Sequence, residues 1–197
     1  MTYLAVPSGK TLQVFAGHIG PVNCGEFTPD GKRIVSADQE GNLIYWDPRS
    51  DAPIFKLGPN DARFSLDGIT SIAVNPTSTL AVVGGAAGGV RVVSLSKGEI
   101  VSTLGGHTEG ESIEAIVFVD LAGTGSTGPG VVVTGATDGK ACIWDLTTMR
   151  LRATLTHNVR RRNAWIFLAW LGALTLLPFN RMRSPHYLHI RRLNPTC

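Results

Sequence analysis

The chain has little cysteine: three residues in 197, Cys24, Cys142 and Cys197. Their spacing matches neither the close pairs of a zinc site nor the dense pattern of a disulfide-stapled secreted domain. The N-terminus lacks a basic segment followed by a long apolar run, so no secretory signal is evident. We therefore expect reduced thiols and a cytoplasmic protein, with the nucleus as an alternative location.

Charged residues are also scarce, at 17% of the chain, and they are unevenly distributed. Residues 1–157 hold 11 lysines and arginines against 15 aspartates and glutamates, a net charge of −4. Residues 158–197 hold 7 arginines and no acidic residue, a net charge of +7. An acidic body disfavours contact with a phosphate backbone and favours a basic partner, so we expect a protein partner and no direct nucleic-acid binding.

What the first 157 residues do contain is a repeat. One unit runs from Gly-His at Gly17 to Trp-Asp at Asp47, and another runs from Gly-His at Gly106 to Trp-Asp at Asp145. The two units lie two periods of about 40 residues apart, the period of a propeller blade. A degenerate middle unit has Ser65 at the histidine place and Val93-Ser94 at the Trp-Asp place.

Each unit is built of short β-prone segments separated by turns. In the first unit the turns are of the Pro-Asp-Gly and Glu-Gly types. Four antiparallel strands make a blade that exposes both faces unless other blades stack beside it. We therefore predict an all-β partial propeller over residues 1–157, with blades at about 18–57, 65–104 and 107–155. The segment "TLQVF" is the last strand of an N-terminal blade remnant, and because closed propellers have at least four blades, we expect an incomplete ring.

The recurring residues resemble those of the WD-repeat family in their order and spacing. In that family a histidine, a serine or threonine, an aspartate and a tryptophan form a hydrogen-bonded chain within a blade. The set that the resemblance implies for the third unit is His107, Thr134, Asp138 and Trp144. The set that it implies for the first unit is His18, Ser36, Trp46 and, at the place of the aspartate, Glu40.

A histidine near an acid also invites a catalytic or metal-binding interpretation. For His18 and His107, catalysis would need a nucleophile held against the ring, and a metal would need further ligands. The sequence shows neither. The glycine run 84–89 lacks the strand-loop-helix setting and the lysine of a phosphate-binding loop. We therefore predict no enzyme, no cofactor, no metal and no small-molecule substrate.

Three segments are more specific than the generic repeat: "CGEFTPDGK", "WDPRS" and the glycine-rich "DLAGTGSTGPG". Over roughly residues 3–157 the chain resembles the family of the angio-associated migratory cell protein and its fungal counterpart. The fungal member is a dedicated chaperone that holds a large-subunit ribosomal protein until it is built into the ribosome. The resemblance implies a chaperone or assembly factor for a basic ribosomal protein. The alternative is a generic scaffold in a ubiquitin-ligase, transport or RNA-processing complex.

Propeller partners usually dock on one rim of the ring, where the loops into each Gly-His and the acid-Gly turns emerge. Acidic side chains on that rim would attract a basic partner. The acids that we predict as partner contacts are Asp38, Asp61, Asp67, Glu109 and Glu111.

Residues 158–197 do not continue the repeat. An uncharged, largely apolar run at 164–179 would span roughly 24 Å as a helix, less than the ~30 Å of a bilayer core. Three interpretations compete: a membrane anchor, a helix that covers the open blade edge, or a non-homologous tail from a frameshift, a retained intron or a misplaced gene-model boundary. We favour the last, because the composition changes abruptly inside a repeat.

Overall fold

The computed structural model describes residues 2–5, 10–119 and 130–156 of the chain, with side chains from residue 11 onward. Every regular element in these ranges is a β-strand. The predictions for the tail fall on residues outside the described ranges, as does most of the glycine-rich insertion. The strands are β1 (Thr2–Ala5), β2 (Lys10–Val14), β3 (Val22–Phe27), β4 (Ile34–Asp38), β5 (Leu43–Trp46), β6 (Pro53–Leu57), β7 (Ile69–Val74), β8 (Leu80–Gly85), β9 (Val90–Ser94), β10 (Glu99–Leu104), β11 (Ile113–Val119), β12 (Val131–Ala136), β13 (Lys140–Asp145) and β14 (Arg150–Thr156).

The strands form three four-stranded antiparallel sheets and one two-stranded sheet. The four-stranded sheets are β3-β4-β5-β6, β7-β8-β9-β10 and β11-β12-β13-β14, so each strand pairs with the next along the chain. We refer to them as the first, middle and third blades. The prediction of an all-β partial propeller with three blades and a preceding blade remnant is confirmed for the described residues.

The remnant is the antiparallel pair of β1 and β2. After β2 the chain turns into the first blade, where the ring of Phe15 lies 5.2 Å from that of Trp46. Phe15, Ile34, Ile44 and Trp46 form one buried apolar cluster. The segment predicted as the end of an earlier blade therefore packs against the first complete blade.

Burial follows the position of a strand in its blade. The second and third strands of the first blade, β4 and β5, are buried at every residue, whereas every residue of the outermost strand of the third blade, β14, is exposed. This pattern arises because neighbouring blades cover the central strands on both faces. The innermost strands contact one another in series, β3 with β7 and β7 with β11.

A side chain at a β-bulge connects each pair of adjacent blades. The register shifts around residues 23, 70 and 114, the second positions of the three innermost strands. Asn23 donates its amide N–H to the carbonyl of Ile69 at 2.9 Å, and the Thr70 hydroxyl donates to the carbonyl of Ile113 at 2.5 Å. Each bond reaches the first residue of the next innermost strand, so the blades are joined by hydrogen bonds as well as by apolar packing.

Candidate functional site

The third blade contains the hydrogen-bonded chain predicted for it. Trp144 Nε1–H donates to Thr134 Oγ1 at 2.9 Å, and Thr134 Oγ1 lies 2.7 Å from His107 Nε2. His107 Nδ1 lies 3.3 Å from Asp138 Oδ2. The ionised carboxylate of Asp138 can only accept, so the proton of the neutral His107 ring is assigned to Nδ1, facing Asp138; Nε2 then accepts from the Thr134 hydroxyl.

The backbone completes the surroundings of Asp138. The N–H groups of Thr108 and Lys140 both donate to its carboxylate at 2.9 Å. Although burial by itself raises the pKa of Asp138, these bonds and the neighbouring His107 bring that pKa below its ordinary value. Burial lowers the pKa of His107, against the opposing effect of Asp138, so the neutral ring is favoured.

In the first blade the structure corrects the prediction for the acid. His18 Nδ1 bonds to Asp38 Oδ2 at 2.8 Å, and His18 Nε2 lies 2.6 Å from Ser36 Oγ, which accepts from Trp46 Nε1 at 2.8 Å. The side chain of the predicted Glu40 is exposed and takes no part in this chain; only its backbone N–H reaches the network, donating to Asp38 Oδ1 at 3.1 Å. The place of the acid is thus filled from two residues earlier, by the last residue of β4.

Asp38 fits that place because it is the last residue of β4, a strand that is buried at every position, so that its carboxylate lies inside the blade. Its carboxylate also accepts from the backbone N–H and side-chain amide of Asn42, at 2.8 and 3.0 Å. Asp38 was also predicted as a partner contact on the rim, and this prediction is wrong. Its side chain is 0% exposed and its oxygens are bonded inside the blade.

The middle blade replaces the network with apolar packing. Val83 and Val93, at the places of the hydroxyl residue and the tryptophan, are both fully buried. Phe64 and Leu66 come from the loop before the blade and join the same cluster. Their contribution was not foreseen, although two large apolar residues beside Ser65 were a visible signal.

The buried histidines are therefore structural in the described blades. Both ring nitrogens of His18 and of His107 bond within their own blade, which leaves neither ring free to act on a substrate. The described thiols are not activated either. Burial, together with the charge of Glu26, raises the pKa of Cys24 to about 12, and burial raises that of Cys142.

Four of the predicted rim acids lie in loops, and they fall into two pairs. Two are bonded within the fold: Glu111 accepts from the Thr137 hydroxyl at 2.6 Å, and Asp61 accepts from the N–H of Arg63 at 3.0 Å. Asp67 and Glu109 are exposed and make no side-chain hydrogen bond or ion pair with the described residues. Of the predicted rim acids, these two are the ones available to a partner.

The structure brings Asp67 and Glu109 together on one cleft of about 320 Å³. Asp67 belongs to the loop before the middle blade, and Glu109 belongs to the loop before the third. The remaining walls are mostly small residues and backbone, with one cation, and consist of Ser65, Leu66, Ala87, Gly88, Gly89, Arg91, Thr103, Leu104, Gly105, Gly106 and His107. We call this feature the rim cleft.

The described ranges contain neither a metal-binding cluster nor a membrane-spanning helix. No group of three or more histidine, cysteine, aspartate or glutamate side chains there is arranged to hold a metal ion. Nor does any helix within residues 2–5, 10–119 and 130–156 have the length and apolar character needed to cross a membrane.

Comparison with known proteins supports the repeat assignment. The family model "WD domain, G-beta repeat" matches residues 9–47 and 98–145. An uncharacterised WD repeat-containing protein of Schizosaccharomyces pombe is 33% identical, over 78% of this chain and 38% of its own length. The human angio-associated migratory cell protein is 29% identical, over 84% of this chain and 38% of its own length.

Superposition on a solved structure supports the propeller-blade fold. The crystal structure of RRP9 WD40 repeats superposes with a TM-score of 0.65 at 16% identity, covering 74% of this chain and 41% of that chain. The chain thus spans less than half the length of the curated relatives and of the structure that it matches.

Proposed function

We propose that this chain, which carries WD repeats folded into consecutive propeller blades, provides part of a protein-binding surface and acts as a chaperone or assembly factor for a basic ribosomal protein of the large subunit. The observation that carries the proposal is the rim cleft, where Asp67 and Glu109 stand without a cationic partner in the described chain. A basic protein would supply the missing charge.

The body of the chain supports a basic partner more generally. Residues 1–157 have a net charge of −4 and offer no basic surface excess to nucleic acid. WD-repeat proteins typically act as binding scaffolds, and His18 and His107 are used inside the blades. The resemblance to the angio-associated migratory cell protein directs the proposal to ribosome assembly, and we place this activity in the cytoplasm, with the nucleus as the alternative.

Affinity capture tests this proposal. The full chain, tagged at one end, is incubated with a cell extract from which intact ribosomes have been removed, and bound proteins are identified by mass spectrometry. We expect one basic large-subunit ribosomal protein, released as the salt concentration rises because the contacts are ionic. Recovery of a multi-subunit ubiquitin-ligase, transport or RNA-processing complex instead would contradict the proposal and support a generic scaffold.

The chaperone activity needs a separate measurement. The recovered ribosomal protein is purified and mixed with RNA, and its aggregation is followed by light scattering. We expect an equimolar amount of the full chain to suppress the aggregation, since a bound chaperone occupies the basic surface that RNA would bridge. Binding without suppression would remove the chaperone role and leave only a scaffold.

A further inference from the structure

We propose that the apolar run at residues 164–179 packs against the side of the third blade that faces away from the middle blade, where a further blade would lie in a longer propeller. The occupant of this surface is then a segment of the chain itself. The inference goes beyond the proposed function and does not rest on it, because it concerns how the chain covers its own last blade.

The alternation of side chains along the strands identifies this surface. Successive side chains of a strand point to opposite faces of the sheet. Val132 and Cys142 belong to the apolar cluster shared with the middle blade. Their strand neighbours Val133, Ala141 and Ile143 therefore point away from the middle blade, and they belong to a separate cluster whose described members all come from the third blade. We call this side of the third blade the outward face.

The centre of the outward face is buried, although no described blade lies on it. Ala141 is 1% exposed and Val133 is 5% exposed. The equivalent residues of the first blade, Leu43 and Val35, are 0% exposed because the middle blade packs on them. By contrast, Leu155, which pairs with Ala141 from the outermost strand, is 46% exposed. A cover therefore lies over the centre of the face, and residues outside the described ranges provide it.

The strand register argues against the glycine-rich insertion as that cover. Residues 6–9 join the two strands of the remnant before the first blade, which leaves the insertion at 120–129 and the tail as candidates. The insertion ends just before Val131, which pairs with Asp145. Ala141 lies four residues along β13 from Asp145, about 13 Å away at the rise of a strand. The insertion thus joins the blade at the end far from Ala141.

The tail leaves the blade beside the buried centre. β14 ends at Thr156, which pairs with Lys140, the residue before Ala141. Seven residues, 157–163, then precede the apolar run at 164–179. A connection of that length reaches up to about 23–25 Å, more than the ~14 Å of three strand spacings across the blade. The run can therefore return over the outward face.

The composition of the two segments also favours the run. It has ten large apolar side chains and no charge, whereas the insertion at 120–129 has one large apolar side chain, Leu121. Left in water, the run would form an unusually large apolar patch, and covering Val133 and Ala141 removes apolar surface on both sides from water. The origin of the tail does not matter for this packing, since it depends only on the side chains present.

Charge complementarity supports the same placement. Glu114 is exposed at the bulge of β11, the place from which Asn23 and Thr70 donate to the next innermost strand. An ionised carboxylate only accepts, so Glu114 cannot donate to a further blade in that way, and it suits a cationic neighbour. The arginines at 160–162 follow Thr156 by four to six residues, a reach of about 13–22 Å that includes β11.

Paired aspartate substitutions in the full chain test the proposal. Ala141→Asp and Ala153→Asp place the same charge on the same face, one at its buried centre and one on the exposed outermost strand. We expect Ala141→Asp to lower the urea unfolding midpoint by about 1 M or more, since a covered carboxylate is removed from water. Ala153→Asp should lower it by less than about 0.3 M. Equal shifts would show an open face and overturn the proposal.

A second background identifies the cover. Serine replaces three large apolar residues of the run together, Phe167, Leu168 and Leu171. In this background we expect the shift caused by Ala141→Asp to shrink to that of Ala153→Asp, because both sets of changes act on one contact. An undiminished shift would exclude the run as the cover.

A matched control uses apolar residues of the tail beyond the run. Leu188→Ser, Ile190→Ser and Leu193→Ser together remove as many large apolar side chains and leave residues 164–179 intact. We expect Ala141→Asp to keep its full cost in this background. If the cost disappears here as well, the effect does not belong to the run and the proposal fails.

Photo-crosslinking of the full chain detects the contact directly. p-Benzoyl-phenylalanine in place of Leu155 sets the probe beside Ala141 at a half-exposed site. Equal amounts of unlabelled and isotope-labelled chain are mixed, irradiated and digested, and the joined peptides are identified by mass spectrometry. We expect crosslinks to residues 164–179 within one chain. Crosslinks between labelled and unlabelled chains would assign the face to a second copy, and crosslinks to residues 120–129 would assign it to the insertion; either result overturns the proposal.

Discussion

The middle and third blades have the same four-stranded topology but different interiors. The third blade contains a buried chain of polar groups from Trp144 through Thr134 and His107 to Asp138. The middle blade has Val83 and Val93 at the places of the threonine and the tryptophan, and it buries Phe64 and Leu66 in the same cluster. Neither blade leaves a buried side-chain polar atom of the described residues without a partner.

The comparison shows that the polar chain is one way to fill a blade and not a condition for forming one. Strand pairing and burial between blades set the architecture in both cases. A fully bonded network and a well-packed apolar cluster are comparable in stability, whereas a partly bonded network leaves buried polar groups unsatisfied. Each blade contains either a complete polar network or an apolar cluster. We therefore expect a blade that mixes polar and apolar side chains at these positions to be less stable.

The largest effect is expected from emptying the apolar blade. Phe64→Ala removes a ring that is 0% exposed, and we expect the free energy of unfolding of the full chain to fall by about 3–5 kcal/mol. Urea unfolding followed by tryptophan fluorescence measures it. Ile19→Ala is the control, because Ile19 is 79% exposed and its truncation should change stability by less than about 0.5 kcal/mol. Equal effects of the two changes would contradict the packing role of Phe64.

The next prediction separates the two acids of the first blade. Asp38→Ala leaves the Nδ1–H of His18 and the N–H groups of Asn42 without their acceptor, so we expect a loss of about 2–3 kcal/mol. Glu40→Ala changes an exposed side chain and should cost less than about 0.5 kcal/mol. The urea unfolding midpoints of the two variants measure these losses of stability. A larger loss for Glu40→Ala than for Asp38→Ala would show that Glu40, and not Asp38, is the acid of the network.

Exchanging the residue types at the hydroxyl place of the two blades tests the comparison directly. Thr134→Val leaves His107 Nε2 and the Trp144 N–H unsatisfied, and Val83→Thr buries a hydroxyl with no histidine or tryptophan beside it. The side chains are nearly equal in size, so we expect each change to cost about 1–3 kcal/mol through unsatisfied polar groups alone. Urea unfolding measures the cost of each change. If either change is neutral, a polar network and apolar packing can be mixed within one blade, contrary to this prediction.

The smallest effect is the pH dependence of the polar blade. Burial lowers the pKa of His107 below its ordinary 6.5, so the unfolded chain takes up a proton on this ring at a higher pH than the folded chain does. His107 therefore contributes its full stabilisation above pH 6.5, and this contribution is lost as the pH falls through the folded pKa. NMR titration of the ring should give a midpoint below 6.5. A midpoint above it would show that Asp138 outweighs burial.

Much of this architecture could be predicted from local pattern. Turn residues and short alternating segments mark strands because backbone preferences act over a few residues. The polar set of the third blade was also readable, because His107, Thr134, Asp138 and Trp144 each fall at their repeat positions. The acid of the first blade was not, because Asp38 and Glu40 are both close in sequence to the correct place, and only the course of the chain after β4 decides which carboxylate points inward.

The rim acids also show what local sequence cannot predict. Their position in loops was predictable, but whether each is free depends on neighbours distant in sequence. Glu111 bonds to Thr137, 26 residues away. Asp67 and Glu109, 42 residues apart, line one cleft, and neither side chain has a polar partner among the described residues. Loop geometry and inter-blade packing determine such contacts, and neither follows the repeat pattern from which the strands were predicted.

The sequence by itself determined that this chain forms β-blades, how many of them lie in residues 11–156, and that the middle one lacks the histidine and the tryptophan of the repeat. Strand pairing between consecutive segments is local, so the repeat carries that information. Only the tertiary structure decided which acid holds His18, how Phe64 and Leu66 complete the middle blade, and that two acids from different loops share the rim cleft. Those outcomes depend on how adjacent blades approach one another, and that approach is set by burial over the whole assembly of strands.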